Sequence, residues 1–340
     1  MGRSLLFKLT LFAVVLASVV VVLGAFTRLV HAGLGCPDWP GCYGHLTWPD
    51  SAHEIALAEA KFPESPVDLE KTWPEMVHRY FAGTLGLLVL ALLIICLRAS
   101  RKEKGLPVKL AVGISFLIIL QAAFGMWTVT LKLWPQVVTA HLLGGFAMLS
   151  LLWLFAQRIG PWCWTLNQAL QDALPKLKRF ALFAMVLLTL QIALGGWVSS
   201  NYAAVACPDL PTCHGVWFPQ ADFAQGFNIF QHVGPNYLGG LLDNEARTAI
   251  HLSHRIGAIV VSITLVILSI MLWQTGAPVA RRLSVILSSV LLVQVTLGLS
   301  NIYWVLPLPV AVAHNAVGAL LLLVMVTLNH RLHSARIEQN

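Results

Sequence analysis

Leu23-Gly24-Ala25-Phe26 leads to Cys36-Pro37-Asp38-Trp39-Pro40-Gly41-Cys42, and 171 positions later Leu194-Gly195-Gly196-Trp197 leads to Cys207-Pro208-Asp209-Leu210-Pro211-Thr212-Cys213. Each stretch begins at the end of a long apolar run, so the first run returns as the fifth. Two further landmarks recur in the same order: His78-Arg79 as His254-Arg255, and Gln121, Gly125 and His141 as Gln294, Gly298 and His314. The chain therefore reads as two repeats, residues 1–165 and 166–340. An even number of runs per repeat gives both halves the same orientation in a bilayer, related by a pseudo-two-fold axis along the membrane normal.

The composition identifies the solvent. Of 340 residues, 57% are apolar and 11% charged, where a soluble domain carries about 25% charged residues. Runs of about twenty apolar residues, the length that crosses a ~30 Å hydrocarbon core, fall near 7–27, 74–97, 108–129, 136–157, 179–199, 247–273, 280–300 and 309–328. The expected fold is an all-α membrane protein of eight transmembrane helices in two four-helix bundles. The first run continues to Phe26 and recurs as the fifth, so it reads as a helix and not a signal peptide. The pI near 9.3 reflects basic residues in short connections, which set orientation; nucleic acid is not an expected partner. The side bearing both termini carries 15 Lys/Arg and 3 acids, the opposite side 7 and 12. Both termini are thus expected in the cytoplasm, and the long loops, 28–73 and 200–246, on the periplasmic face of a bacterial inner membrane.

His78, His141, His254 and His314 lie at one depth, roughly 6–10 Å below the outer surface at 1.5 Å per residue. Each repeat offers two of them, on its second and fourth helices. Paired imidazoles are what a flat heme needs as axial ligands. The rival readings are a helix-to-helix hydrogen bond for each histidine and zinc, for which no third ligand recurs at that depth. Arg79 and Arg255 are candidate partners of heme propionates, or interfacial anchors. Glu75 stands one turn before His78, and its counterpart in the second repeat is His251. A carboxylate beside one site only marks the N-terminal site for chemistry, unless Glu75 is a solvated first-turn residue; His251 has no assigned role. Gln121, Gln191 and Gln294 are expected in interhelical packing, and His31, His45, His53, His214, His232, His330 and His333 in water. Cys36 with Cys42 and Cys207 with Cys213 read as disulfides on an oxidising face, a metal site being the rival, while Cys96 and Cys163 stay unpaired.

Glu75-Met76-Val77-His78-Arg79, Ala140-His141, His254-Arg255, Ala313-His314 and the two Cys-x5-Cys loops resemble the heme A synthases, which convert the C8 methyl group of heme O to the formyl group of heme A. The resemblance covers both repeats. It implies a substrate heme site at His78 and His141, a glutamate needed for activity at Glu75, and a permanent heme b on His254 and His314. Glu75 would then accept a proton from, or stabilise, the C8 carbinol intermediate. It also implies heme O as substrate, with heme O synthase and a membrane electron donor as partners. Two rivals make different demands. A di-heme carrier of the cytochrome b561 sort needs two equally permanent hemes and no Glu75. A transporter needs broken helices with polar groups at the midplane.

Overall fold

The computed structural model describes residues 2–162, 165–166, 168–334 and 336–337. Eight of its helices are long and apolar enough to cross a membrane: α1 (Gly2–Leu29), α3 (Leu69–Ser100), α4 (Val108–Thr130), α5 (Pro135–Ile159), α6 (Gln168–Ser200), α8 (Asn244–Gln274), α9 (Pro278–Tyr303) and α10 (Leu308–Ser334). Each contains one expected run. The helices outlast the runs because backbone pairing continues past the apolar segment, and in lipid every N–H and C=O must find a partner inside the protein. Two short helices, α2 (Ala52–Lys61) and α7 (Phe223–Gly226), lie in the long loops. Thr165–Leu166 pairs in parallel with Arg336–Ile337. Cys163 lies outside the described residues.

Local chemistry sets the ends. Ser51 and Glu54 form a capping box on α2, and the Asp68 carboxylate accepts from Glu70 N at the start of α3, each satisfying a free amide of a first turn. Pro135 and Pro278 occupy first positions of α5 and α9, where the missing N–H costs nothing. The α4–α5 and α9–α10 turns repeat one backbone solution, with positive φ at Lys132 and Leu133 and again at Val305 and Leu306.

The neighbour order is the same in both halves. Helix α3 packs on α1 and α4, and α5 closes the ring on α4 and α1; α8 packs on α6 and α9, and α10 closes on α9 and α6. Helices α3 and α5 thus take opposite corners of one ring, as α8 and α10 do of the other. The rings meet through α5 with α6, α1 with α10, and α5 with α10. On the loop face, the Arg28 guanidinium donates to Ser199 O, and the His31 and Tyr202 rings stack 5.5 Å apart. Each of these contacts joins positions separated by the repeat offset of 171.

Packing density differs along the membrane normal. Leu6, Leu152, Phe155, Leu177, Leu268, Leu272, Met325 and Leu332 are fully buried toward the face carrying the termini, within one apolar cluster that spans both rings. Lipid tails are as apolar as leucine, so close van der Waals packing holds this region together. Toward the loop face all four histidines are only half-buried. The second long loop also crosses to the first ring: Gln136 Nε2 donates to Ile229 O at 2.8 Å, Trp134 Nε1 to Gln231 O at 3.2 Å, and Tyr237 N to Lys132 O at 3.0 Å.

Candidate functional site: two histidine pairs under disulfide loops

His78 on α3 and His141 on α5 face each other from opposite corners of the first ring, with ring centroids 6.5 Å apart and planes at 87°. Each of the four histidines lies against a glycine of a neighbouring helix. A Cβ on Gly24 would stand 3.0 Å from His78 Cε1, on Gly125 3.5 Å from His141 Cε1, on Gly195 3.2 Å from His254 Cε1, and on Gly298 3.1 Å from His314 Cε1. Three of those separations are tighter than ordinary van der Waals contact, so glycine makes room for the rings of His78, His254 and His314, while Gly125 leaves ordinary space beside His141. The glutamines belong to the same constructions: Gln191 Nε2 lies 3.0 Å from His254 Nδ1 and donates to His254 O at 2.9 Å, and Gln294 Nε2 lies 3.4 Å from His314 Nε2. Gln121 lies where a Cβ on Gly144 would be.

A disulfide loop caps each pair. Cys36–Cys42 and Cys207–Cys213 are both bonded, and an aspartate organises each loop. Asp38 accepts from Tyr43 N at 2.6 Å and Gly44 N at 2.7 Å, and Asp209 from His214 N at 2.6 Å and Gly215 N at 3.0 Å. Gly44 and Gly215 have φ of 79° and 74°, a left-handed turn that a side chain would strain. The Thr212 hydroxyl, then the Gly215 and His214 amides, hold the Asp209 carboxyl down to about 2. Burial and then Glu59 push the Tyr43 phenol up to about 12, so it stays protonated and donates to Pro66 O.

The helical turns carrying His78 and His254 each grip a disulfide loop. Glu75 is 5% exposed; its Oε2 accepts from Cys36 N at 2.9 Å and its Oε1 pairs with Arg79 Nη2. Arg79 Nη1 donates to the carbonyls of Asp38, Pro40 and Gly41. In the second half His251 Nδ1 accepts from Cys207 N at 3.2 Å, while Arg255 donates to the carbonyls of Asp209, Thr212 and Cys207. A buried ion pair thus holds the first loop and an imidazole the second.

This arrangement fits heme. Two imidazoles on opposite sides of one metal, each nitrogen about 2 Å from it, have centroids roughly 6 Å apart; the first pair stands at 6.5 Å. His141 Nδ1 is buried without a hydrogen-bond partner. Among the described residues no three His, Cys, Asp or Glu side chains gather around one ion position. A model of cytochrome oxidase assembly proteins, COX15-CtaA, matches residues 7–326. The chain belongs to that family. It is 46% identical over 330 residues to the heme A synthase of Shewanella oneidensis, covering 97% of this chain and 96% of that one. It is 28% identical over 341 residues to heme A synthase COX15 of Arabidopsis thaliana, covering 92% and 71%. It is 27% identical over 345 residues to the heme A synthase of Paracoccus denitrificans, covering 96% and 86%.

Several residues stand where the sequence places them but with different partners. Glu75 is not a solvated first-turn group; it is buried under the loop. Arg79 and Arg255 donate to loop carbonyls. Gln191 and Gln294 sit at His254 and His314, while Gln121 packs between helices against Gly144 as expected. Reasoning from sequence did not pick out Gly24, Gly125 and Gly298 as lying against the histidine rings, although Gly24 with Gly195 and Gly125 with Gly298 recur at the repeat offsets. It also missed the Arg28–Ser199 and His31–Tyr202 contacts, whose signal was that same recurrence.

Proposed function

We propose that this chain is a heme A synthase, oxidising the C8 methyl group of heme O to the formyl group of heme A, with heme O between His78 and His141 and a resident heme b between His254 and His314. The observation that carries this reading is the His78–His141 pair, spaced for one metal and accompanied by a buried carboxylate at Glu75, in a chain so similar to a protein named heme A synthase.

Residues 1–165 form the substrate repeat and 166–340 the heme b repeat. The identical ring order and the contacts between positions 171 apart support a pseudo-two-fold axis, which brings equivalent positions onto each other. The excess of Lys and Arg on the terminal side supports an inner-membrane orientation with both termini in the cytoplasm and the disulfides in the oxidising compartment.

When bound, heme b supplies one-electron transfer. The chain's own residues do the rest. Four imidazoles fix the two planes, the glycines fix the imidazoles, and the loops shield the outer edge from water. Glu75, one turn from His78, is placed to accept a proton from, or to stabilise, the C8 carbinol intermediate. Arg79 and the Cys36 amide leave each Glu75 oxygen a further lone pair for that purpose. An electron donor in the membrane and heme O synthase are the proposed partners.

The near-equivalence of the two histidine pairs is what a simple di-heme carrier would also show. Pigment extraction after expression beside a heme O supply separates the two. The synthase yields heme A or its alcohol precursor together with heme B; a carrier yields heme B alone.

A further inference from the structure

We propose that His251 is the positioning residue of the C-terminal site, holding the Cys207–Cys213 loop to the helical turn that carries His254 while leaving that turn without a negative charge. This rests on His254 and His314 as the heme b ligands.

The two halves present a controlled comparison. Glu75 and His251 each stand three residues before a heme-facing histidine and four before an arginine. Each accepts the backbone N–H of the first cysteine of its loop. Each arginine then donates to carbonyls of the same loop. The chemistry of the acceptor differs. A carboxylate has lone pairs for both the cysteine amide and the arginine, and Glu75 uses them so. A neutral imidazole has one acceptor nitrogen, yet two donors are aimed at His251, Cys207 N at Nδ1 (3.2 Å) and Arg255 Nε at Nε2 (3.4 Å); it can accept only one of them at a time, and the shorter contact assigns that role to the Cys207 amide.

His251 is 4% exposed, so the bond to Cys207 N is shielded and its loss would leave an amide unpaired away from water. The imidazole therefore keeps the loop seated. What it omits is charge. A carboxylate one turn from a heme stabilises the ferric form and lowers the reduction potential, which suits a site where an electron-poor transition state or a released proton must be met. A resident electron-transfer heme has no such need, and a neutral latch leaves its potential to the axial ligands and burial.

Three variants decide this: His251→Ala, His251→Gln and His251→Glu, purified as the full chain, with heme redox titration and with the rate at which tris(2-carboxyethyl)phosphine opens each disulfide, followed by maleimide labelling. The expected results are a several-fold faster opening of Cys207–Cys213 in His251→Ala, an unchanged rate for Cys36–Cys42, and near wild-type rates in His251→Gln and His251→Glu. His251→Glu is expected to shift the b-heme midpoint to lower potential, and His251→Gln to leave it in place. Should His251→Ala fail to fold, the Gln and Glu variants still decide. Rapid opening of Cys207–Cys213 in both, or an unmoved midpoint in His251→Glu, overturns the proposal. Wild-type protein without any heme would instead overturn the heme assignment, while the opening rates would continue to report on the latch.

Discussion

The N-terminal and C-terminal rings place two histidines over two glycines beneath a disulfide loop, yet one loop is held by a buried Glu75–Arg79 ion pair and the other by a neutral His251. The geometry is shared and the charge is not. On the proposed function, two like rings would keep their heme-holding parts constant while one position per half, 75 or 251, sets what each site is suited to do. The difference also shows where a buried carboxylate gets its support: Arg79 and the Cys36 amide, groups fixed by the loop itself.

The strongest way to sharpen that contrast is to remove each arginine. Breaking a buried ion pair by deleting one partner costs roughly 3–5 kcal/mol, because the other charge stays buried. Arg79→Met should therefore lower thermal stability markedly, while Arg255→Met, next to the neutral His251, should cost less; equal losses in a melting experiment would erase the distinction. Next in size, Glu75→Gln keeps the acceptor for Cys36 N but removes the base. Heme A output should fall by about 100-fold or more with the C-terminal heme spectrum unchanged, as read from the heme profile of expressing cells.

The fold was legible because lipid leaves few options: eight apolar runs must be helices, and a matched order of landmarks must be a repeat. The approach of His78 to His141 was legible for the same reason, since ionisable groups are rare in spans. Partner choice was not. In one dimension nothing shows that Glu75, Arg79 and Arg255 reach the disulfide loops. Only the loop's path in space brings Cys36 N to Glu75 and the Gly41 and Thr212 carbonyls to the arginines. A glycine's role is similarly invisible until the neighbouring helix supplies the ring it makes room for.

Smaller effects follow from the glycines. Gly298→Ala puts a Cβ 3.1 Å from His314 and should reduce heme content at the C-terminal site, whereas Gly125→Ala, at 3.5 Å from His141, should be nearly silent. Equal heme content in the two purified variants would remove the cradle argument. The smallest effect concerns pH. A carboxyl held near 2 in the folded loop, against about 3.9 free, contributes stability that is present above about pH 4 and lost as pH falls toward 2. Disulfide-opening rates at Cys207–Cys213, corrected for the reductant's own ionisation, should accordingly be flat from pH 7 to 4.5 and rise only below that; a rise near pH 6 would assign loop order to another group.

The central claim, one site for substrate and one for a resident heme, is tested most directly by comparing His78→Ala with His254→Ala in cells supplied with heme O. The prediction is that purified His78→Ala retains the low-spin b-heme spectrum and makes no heme A, whereas His254→Ala loses that spectrum. Loss of the b-heme spectrum in His78→Ala with its retention in His254→Ala would reverse the assignment, and equal partial losses in both would make the protein a symmetric two-heme carrier.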